Sequence, residues 1–361
     1  MQFDEGFNRF RDPRLPMRES IEGRVYKDAN ITLLTPWQFG FRRLDRLLAT
    51  LITPFDLAFR LIRDKPDVFI SYSVPTSGWQ ALLICKVLGI PYVYRALDVS
   101  HRIRRSRLNW LVKVFERIIY RGADIVSVNN PAMATYASQI MGSERPIKFD
   151  PPPLDLSFAS LPSVKQRSEV RARLGLENSD KVLLYLGSFF YFSGLIEFLD
   201  HFSKTLRENK NFKFVLVGGG EQEQELRSMV ESEGLSDQVI FTGFVPFDEI
   251  WAIIGSVDLA LNPMKPQAVS HFALPNKVIQ YLAMGTRVVS TRLKGLEALF
   301  DGSPNIVFEN DYAQMARVAE SLLSATATRT VPGVINMFEA DRATESFEST
   351  LVAAAGSKEL G

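Results

Sequence analysis

Leu274-Pro275-Asn276-Lys277-Val278-Ile279-Gln280-Tyr281-Leu282-Ala283-Met284-Gly285, running on into Thr286-Arg287-Val288-Val289-Ser290-Thr291, reads as a helix, a glycine stop and a buried strand. Pro275 suits the first helical turn, where its missing N–H costs nothing, and Gly285 suits the left-handed residue that ends a helix. A helix N-terminus presents unpaired N–H groups and the positive end of the dipole, so with Lys277 in the first turn it suits a diphosphate. The blander alternative is a surface lysine.

Working outward, apolar runs alternate with amphipathic helical patterns along most of the chain, the signature of βα units around parallel sheets. A first set of strands is expected near Ile31 to Leu34, Asp67 to Ser71, Tyr92 to Arg95 and Asp124 to Val128. A second is expected at Val182 to Leu186, Lys213 to Val217, Val239 to Thr242, Leu259 to Asn262 and Arg287 to Ser290. Helices are expected at Leu195 to Leu206, Glu223 to Glu233, Phe247 to Ile254, Pro275 to Met284 and Met337 to Ala355. Between the sets, Asp150-Pro151-Pro152-Pro153 and the Ser-rich, charged stretch to Asp180 read as a connection between domains. The division predicted is 1–155, 178–330 and a C-terminal helix in 331–361.

Composition bounds the classes. With 361 residues, 46% hydrophobic and 23% charged, the chain is long enough for two globular cores, and disorder is not expected. One cysteine, Cys85, allows no internal disulfide; with no charged-then-apolar leader in view, a cytoplasmic protein is expected. The uncharged run from Val68 to Cys85 is interrupted by Pro75 and Gly78 and reads as strand, turn and helix rather than a span.

The net charge of +1 hides an asymmetry. Residues 1–150 carry 23 Lys and Arg against 15 Asp and Glu, which leaves 19 against 26 for the rest. From Phe41, Leu44, Leu48, Leu51, Phe55 and Ala58 recur at helical spacing among Arg42, Arg43, Arg46, Arg60 and Arg63, with a kink expected at Pro54. Leu108, Leu111, Val112, Phe115, Ile118 and Ile119 form a second stripe, ringed by Arg102, Arg104, Arg105, Arg107, Lys113, Arg117 and Arg121. Such faces suit an anionic membrane surface, although either stripe alone also fits a core contact with a solvated opposite face. No nucleic-acid recognition motif accompanies the charge, so nucleic acid is not an expected partner.

Glycines close the strands of the second half at Gly187-Ser188 and at Gly218-Gly219-Gly220, where ligands of doubly wound sheets bind. Together with Phe241-Thr242-Gly243-Phe244-Val245 and the Pro275 to Thr291 block, they resemble the donor domain of GT-B glycosyltransferases over about residues 180–300. The resemblance implies an α/β fold of two Rossmann-like, doubly wound domains facing a cleft. It also implies a last helix returning towards the N-terminal domain, and an N-terminal domain shortened ahead of the segment matching Arg11 to Met17.

Within that fold, the large retaining group has basic residues in the loop after the first donor-domain strand and a pair of glutamates. Here the loop Gly187 to Gly194 has serines at both basic positions, and Phe272 and Gln280 stand in the glutamate places. Val93-Tyr94-Arg95-Ala96-Leu97-Asp98, Asn130-Pro131-Ala132-Met133-Ala134, Gly187-Ser188 and Lys277-x-x-Gln280-Tyr281 resemble instead the inverting exopolysaccharide glucuronosyltransferases of the xanthan type.

That resemblance implies a UDP-sugar donor, with UDP-glucuronate as candidate, and a lipid-linked glycan acceptor. Asp98 becomes the base that takes the acceptor's proton, as an inverting transfer requires. A post-strand aspartate is also a common helix cap, with Ser100 and His101 as partners. Donor contacts are expected from Gly187, Ser188, Gly219, Phe244, Met264, His271, Lys277 and Gln280, although a loop histidine is often satisfied by backbone. Arg42, Arg43, Arg46, Arg104, Arg105 and Arg107 are assigned to the membrane or acceptor.

No cofactor is expected and no metal. The chain has no Asp-x-Asp pair, and His101, His201 and His271 have no ligand spacing. The rival readings are a retaining GT-B enzyme and a non-catalytic nucleotide-sugar-binding or scaffold protein.

Overall fold

The computed structural model describes residues 50–72, 74, 77–101, 109–142, 145–267, 270–326 and 328–356 in full, and backbone elements alone over 17–22, 30–35, 44–49 and 102–103. The chain forms two compact units. The first holds the described residues up to Asn129, Met133–Asp150 and Thr344 onward; the second holds Asn130–Ala132 and Pro151–Ala343.

The first unit begins with β1 (Met17–Glu22) and β2 (Asn30–Thr35), paired antiparallel in a sheet of their own. The expectation that Ile31 to Leu34 belongs to the parallel set is therefore corrected. Residues 23–29 are too few for the crossover that parallel pairing needs. Helix α1 (Leu44–Asp64) leads to β3 (Phe69–Ser71), α2 (Gly78–Leu88), β4 (Tyr92–Ala96), α3 (Ser100–Ile103) and α4 (Asn109–Gly122). Then come β5 (Ile125–Val128), α5 (Pro131–Met141) and β6 (Ile147–Phe149), and the four strands lie parallel in the order β3-β4-β5-β6.

Pro54 does not end α1, which continues for ten residues beyond it. A proline removes one helical hydrogen bond and orphans the carbonyl four residues before it. That carbonyl belongs to Thr50, and the Gln80 side-chain amide of α2 donates to it at 3.4 Å. Of the α1 stripe, Leu51 and Phe55 face solvent, Phe55 with 78% of its surface exposed, and Phe59 and Ile62 extend the exposed apolar face. On α4 the inward residues are Glu116, Ile119 and Tyr120, while Trp110, Val114 and Ile118 are exposed.

The C-terminal helix α13 (Ala340–Gly356) packs from Thr344 onward as part of the first unit, with Ala354 against Val93 and Ile125. Its anchor is Asp150, just past β6 and 1% exposed. The Asp150 carboxylate accepts from Ser127 Oγ at 2.5 Å, from Ser346 Oγ at 2.9 Å and from Thr350 Oγ1 at 3.1 Å. Arg95 of β4, also buried, lies 3.6 Å from it, donates to Ser127 Oγ and stacks on Phe347.

The second unit opens with α6 (Val164–Arg173) inside the stretch expected to be a connection. Ser163 caps it, with Ser163 and Gln166 closing a reciprocal capping box. Then follow β7 (Lys181–Leu186), α7 (Leu195–Glu208), β8 (Phe212–Val217), α8 (Glu223–Ser232), β9 (Val239–Gly243), α9 (Phe247–Ser256) and β10 (Leu259–Asn262). The unit closes with α10 (Asn276–Ala283), β11 (Arg287–Ser290), α11 (Lys294–Phe300), β12 (Ile306–Phe308) and α12 (Tyr312–Ser324).

Its sheet is parallel throughout, in the order β12-β11-β10-β7-β8-β9, and a hydrophobic core covers each face. The order reverses between β7 and β10, the place in such sheets where ligands bind at the carboxyl ends.

Removing one member of a buried charged pair leaves the other uncompensated, which costs about 3–5 kcal/mol. Asp150→Ala is therefore expected to lower stability to urea by about that amount, and to raise the proteolytic sensitivity of α13. Asp150→Asn, which keeps hydrogen bonds to the hydroxyls, should lose less.

Candidate functional site

The donor half of the site is built at the ends of β7 and β8. Gly187 and Gly218 adopt φ of +133° and +124°, and a Cβ on Gly218 would stand 2.1 Å from the Gly187 carbonyl. Only glycine lets the two loops meet. They are then laced together: Gly187 N donates to Val217 O, Phe189 N to Gly219 O and Gln222 N to Phe189 O, all at 2.9 Å. Among the described residues, the amides of Ser188, Gly219 and Gly220 donate to no protein acceptor. Backbone amides left unpaired around a turn suit an anion.

Helix α10 supplies the charge. Its N-cap is Pro275, one residue earlier than the expected helical position, and Gly285 ends it at φ +63°. The ring of Tyr185, on β7, lies beneath Lys277, whose Nζ is 3.9 Å from the ring centre. A Cβ on Gly187 would stand 3.4 Å from the same nitrogen. The residue keeps partial access to solvent, yet its ammonium is enclosed, and burial with no compensating carboxylate pulls it down to about 7. An ammonium so placed gains charge when an anion arrives.

Tyr281, fully buried, fixes this geometry by accepting a 2.8 Å hydrogen bond from the Leu186 amide. Tyr185 in turn donates to Ser188 O at 2.9 Å. These two tyrosines are the site residues that sequence reasoning missed as participants. Tyr281 stood in the quoted motif, but nothing local shows which strand it reaches.

Other expected donor residues divide. Gln280 is buried on the face of α10 that carries Lys277, one turn on. Phe244 is 82% exposed, and its ring lies 3.2 Å from where a Cβ on Gly219 would stand. It therefore flanks the second glycine turn with an open aromatic face. Met264 and His271 are half-buried and their carbonyls serve the fold, accepting from Thr291 Oγ1 and the Lys294 amide. The His271 ring packs edge-on to Phe272.

In the first unit, Asp98 follows β4 by two residues. Ser100 and His101 are not its partners: the Ser100 amide donates to Glu116 Oε1 at 3.0 Å, and His101 Nδ1 lies 2.5 Å from Glu116 Oε2. Among the described residues nothing hydrogen-bonds the Asp98 carboxylate. It reaches solvent from surroundings dense enough that desolvation raises its pKa. Arg42, Arg43, Arg104, Arg105 and Arg107 lie outside the described residues, and of Arg46 only its place in α1 is described.

Two family models match the chain, one described as glycosyl transferase 4-like domain over residues 15–151, the other as glycosyl transferases group 1 over 180–325. The chain is a group 1 glycosyltransferase of the GT-B fold. The second match spans the glycine turns, α10 and β11.

Among curated relatives, the 2-deoxystreptamine glucosyltransferase of Streptomyces kanamyceticus is 24% identical over 74% of this chain and 71% of its own length. The mannosylfructose-phosphate synthase of Agrobacterium fabrum is 30% identical over 50% of this chain and 40% of its own. Anabaena Alr3699/HepE, solved in complex with UDP, shares the fold with a TM-score of 0.69. It is 17% identical, with 83% of this chain and 82% of that one covered.

The enclosed ammonium sets a pH dependence. Below about 7 Lys277 carries its proton whether or not a diphosphate is bound; above it, binding must recruit one. UDP-glucose affinity, measured by calorimetry, is expected to be flat below that pH. It should weaken above it by up to about tenfold per pH unit. Lys277→Gln should bind more weakly and lose the slope.

Proposed function

We propose that the chain transfers a sugar from a UDP-sugar, UDP-glucuronate first among candidates, to a lipid-linked oligosaccharide. The transfer inverts the anomeric carbon, needs no metal ion and serves exopolysaccharide or other cell-surface glycan synthesis. The observation that carries the donor assignment is the Lys277 ammonium, enclosed without a carboxylate partner beside the unpaired amides of Ser188 and Gly219. Anabaena HepE has been solved with UDP, and with UDP and glucose, which supports UDP as the nucleotide here.

In the transfer, Asp98 takes the proton of the acceptor hydroxyl as its oxygen attacks the anomeric carbon. The bond to the diphosphate breaks, and its electron pair leaves on the terminal phosphate oxygen. Lys277 and the amides meet that charge. The raised pKa of Asp98 makes it a stronger base than an ordinary carboxylate, and with no hydrogen-bond partner among the described residues it is available. Serines in the loop after β7 and Gln280 on α10 support inversion. The group 1 match over residues 180–325 favours retention as the second reading.

Product analysis separates them. Inversion is expected, with kcat down by about 100-fold or more in Asp98→Asn and the KM for donor nearly unchanged. A retained configuration, or an Asp98→Asn enzyme as fast as wild type, would sink the base assignment. A wild-type protein that binds UDP but transfers nothing with any glycan lipid would favour the scaffold.

The same reading places the protein peripherally on the anionic cytoplasmic face of the membrane. Among the described residues no helix is long and apolar enough to cross a bilayer. Support comes from the exposed Leu51, Phe55, Phe59 and Ile62 of α1, with Arg60 and Arg63 alongside, and from Trp110 and Val114 of α4 beside Lys113 and Arg117. In flotation, recovery with phosphatidylglycerol vesicles should exceed recovery with neutral ones, and Phe55→Asp with Phe59→Asp should abolish the difference. Equal recovery on both lipids would contradict the placement.

A further inference from the structure

A cavity of about 320 Å3 opens in the second unit at the amino ends of β7, β10 and β11, the opposite edge of the sheet from Gly187 and Lys277. That volume lies at the lower end of small-molecule sites, about 300–1,000 Å3. The site is separate from the donor site. Lys181 and Lys277 lie towards opposite ends of the sheet, and the six residues of β7 alone span roughly 20 Å.

The charge in its wall is unbalanced. Arg167, Lys181, Arg287 and Arg329 line it against two carboxylates, Asp180 and Asp258. Both carboxylates are already committed. Asp180 Oδ2 accepts from the Glu177 amide at 2.7 Å; Asp258 accepts from Arg167 at 3.0 Å and from the Val182 amide at 2.9 Å, with buried Arg171 3.6 Å behind it.

Among the described residues, Arg287 and Arg329 hydrogen-bond only to uncharged groups. Arg287 Nη2 donates to Leu322 O and Ala325 O, at the end of α12. Arg329 donates to Met284 O, Thr286 Oγ1 and Val257 O, where α10 and α9 end. Carbonyls at helix ends orient a guanidinium and offset its charge only in part, since each carries a fraction of a negative charge. Burial, then repulsion from Arg167, pulls Arg329 down to about 10 against the attraction of Asp258, and burial lowers Arg287 as well.

We propose that this cavity binds a phosphate monoester of a small sugar. In formal side-chain charge the surplus is two, reduced in part by the helix ends, and a phosphomonoester dianion uses more of it than a single carboxylate does. The remaining wall bears Asn178, Ser179, Thr326 and Thr328, side chains that pair with sugar hydroxyls.

Calorimetric titration of the protein saturated with UDP, so that the donor site is filled, tests the assignment with glucose 6-phosphate, inorganic phosphate and glucose as probes. Glucose 6-phosphate should bind saturably, inorganic phosphate more weakly and glucose not at all. Arg287→Gln and Lys181→Gln should each weaken binding by about tenfold or more and leave UDP affinity unchanged. Lys181 makes no hydrogen bond through its ammonium to any described residue, so that variant tests charge without disturbing a cap. Equal affinity for inorganic phosphate would overturn the sugar part of the assignment. Absence of saturable binding, or wild-type affinity in both variants, would overturn the site.

Discussion

A lysine ammonium with no carboxylate to pair with among the described residues is the constraint around which the donor half is arranged. Lys277 is carried to the amino end of α10 and set over the Tyr185 ring, beside Gly187. Holding a cation in that enclosure is unfavourable until an anion arrives, and the cost appears as its lowered pKa. The rest of the unit maintains the arrangement. Tyr281 ties α10 to the end of β7, and the Gly187–Gly218 contact locks the two turns, in which the amides of Ser188, Gly219 and Gly220 meet no acceptor among the described residues. Affinity for a diphosphate is thus prepared by folding rather than assembled on binding.

The first unit is organised by the reverse device, a buried anion fully supplied with donors. Asp150 joins β6, β5, β4 and the C-terminal helix through Ser127, Arg95, Ser346 and Thr350. Arg95 ties it to β4, which ends two residues before Asp98, a carboxylate without described partners. The positions that fix the backbone are saturated, and the one assigned to chemistry is not.

Much of this was legible along the chain, because helix and strand periods and glycine punctuation are local signals. The strands of the second sheet and α10 stand within a few residues of where the pattern puts them. What was missed depended on distant partners. Pro54 is expected to kink its helix; α1 runs on for ten residues past it, and Gln80 of α2 donates to the Thr50 carbonyl that the proline leaves without its helical donor. The stripe of α1 has the same spacing whether it faces a core or solvent, and the exposure of Leu51 and Phe55 excludes the core contact for those two residues. Strands β6 and β12, three residues each, are too short to show a period. The capping box at Ser163 and Gln166 was a readable signal for α6, masked by the surrounding serines and charges. Tyr185 carries no local mark of the lysine above it.

The titration of Lys277 itself tests the central claim most directly. Selective 13C labelling of lysine, with Lys277→Arg used to assign its resonance, would follow the amine through pH in the free protein and with UDP-glucose bound. The account predicts a midpoint near 7 in the free protein, moving up towards the ordinary lysine range on binding. A midpoint already in that ordinary range without ligand, or one that does not move when UDP-glucose binds, would contradict it.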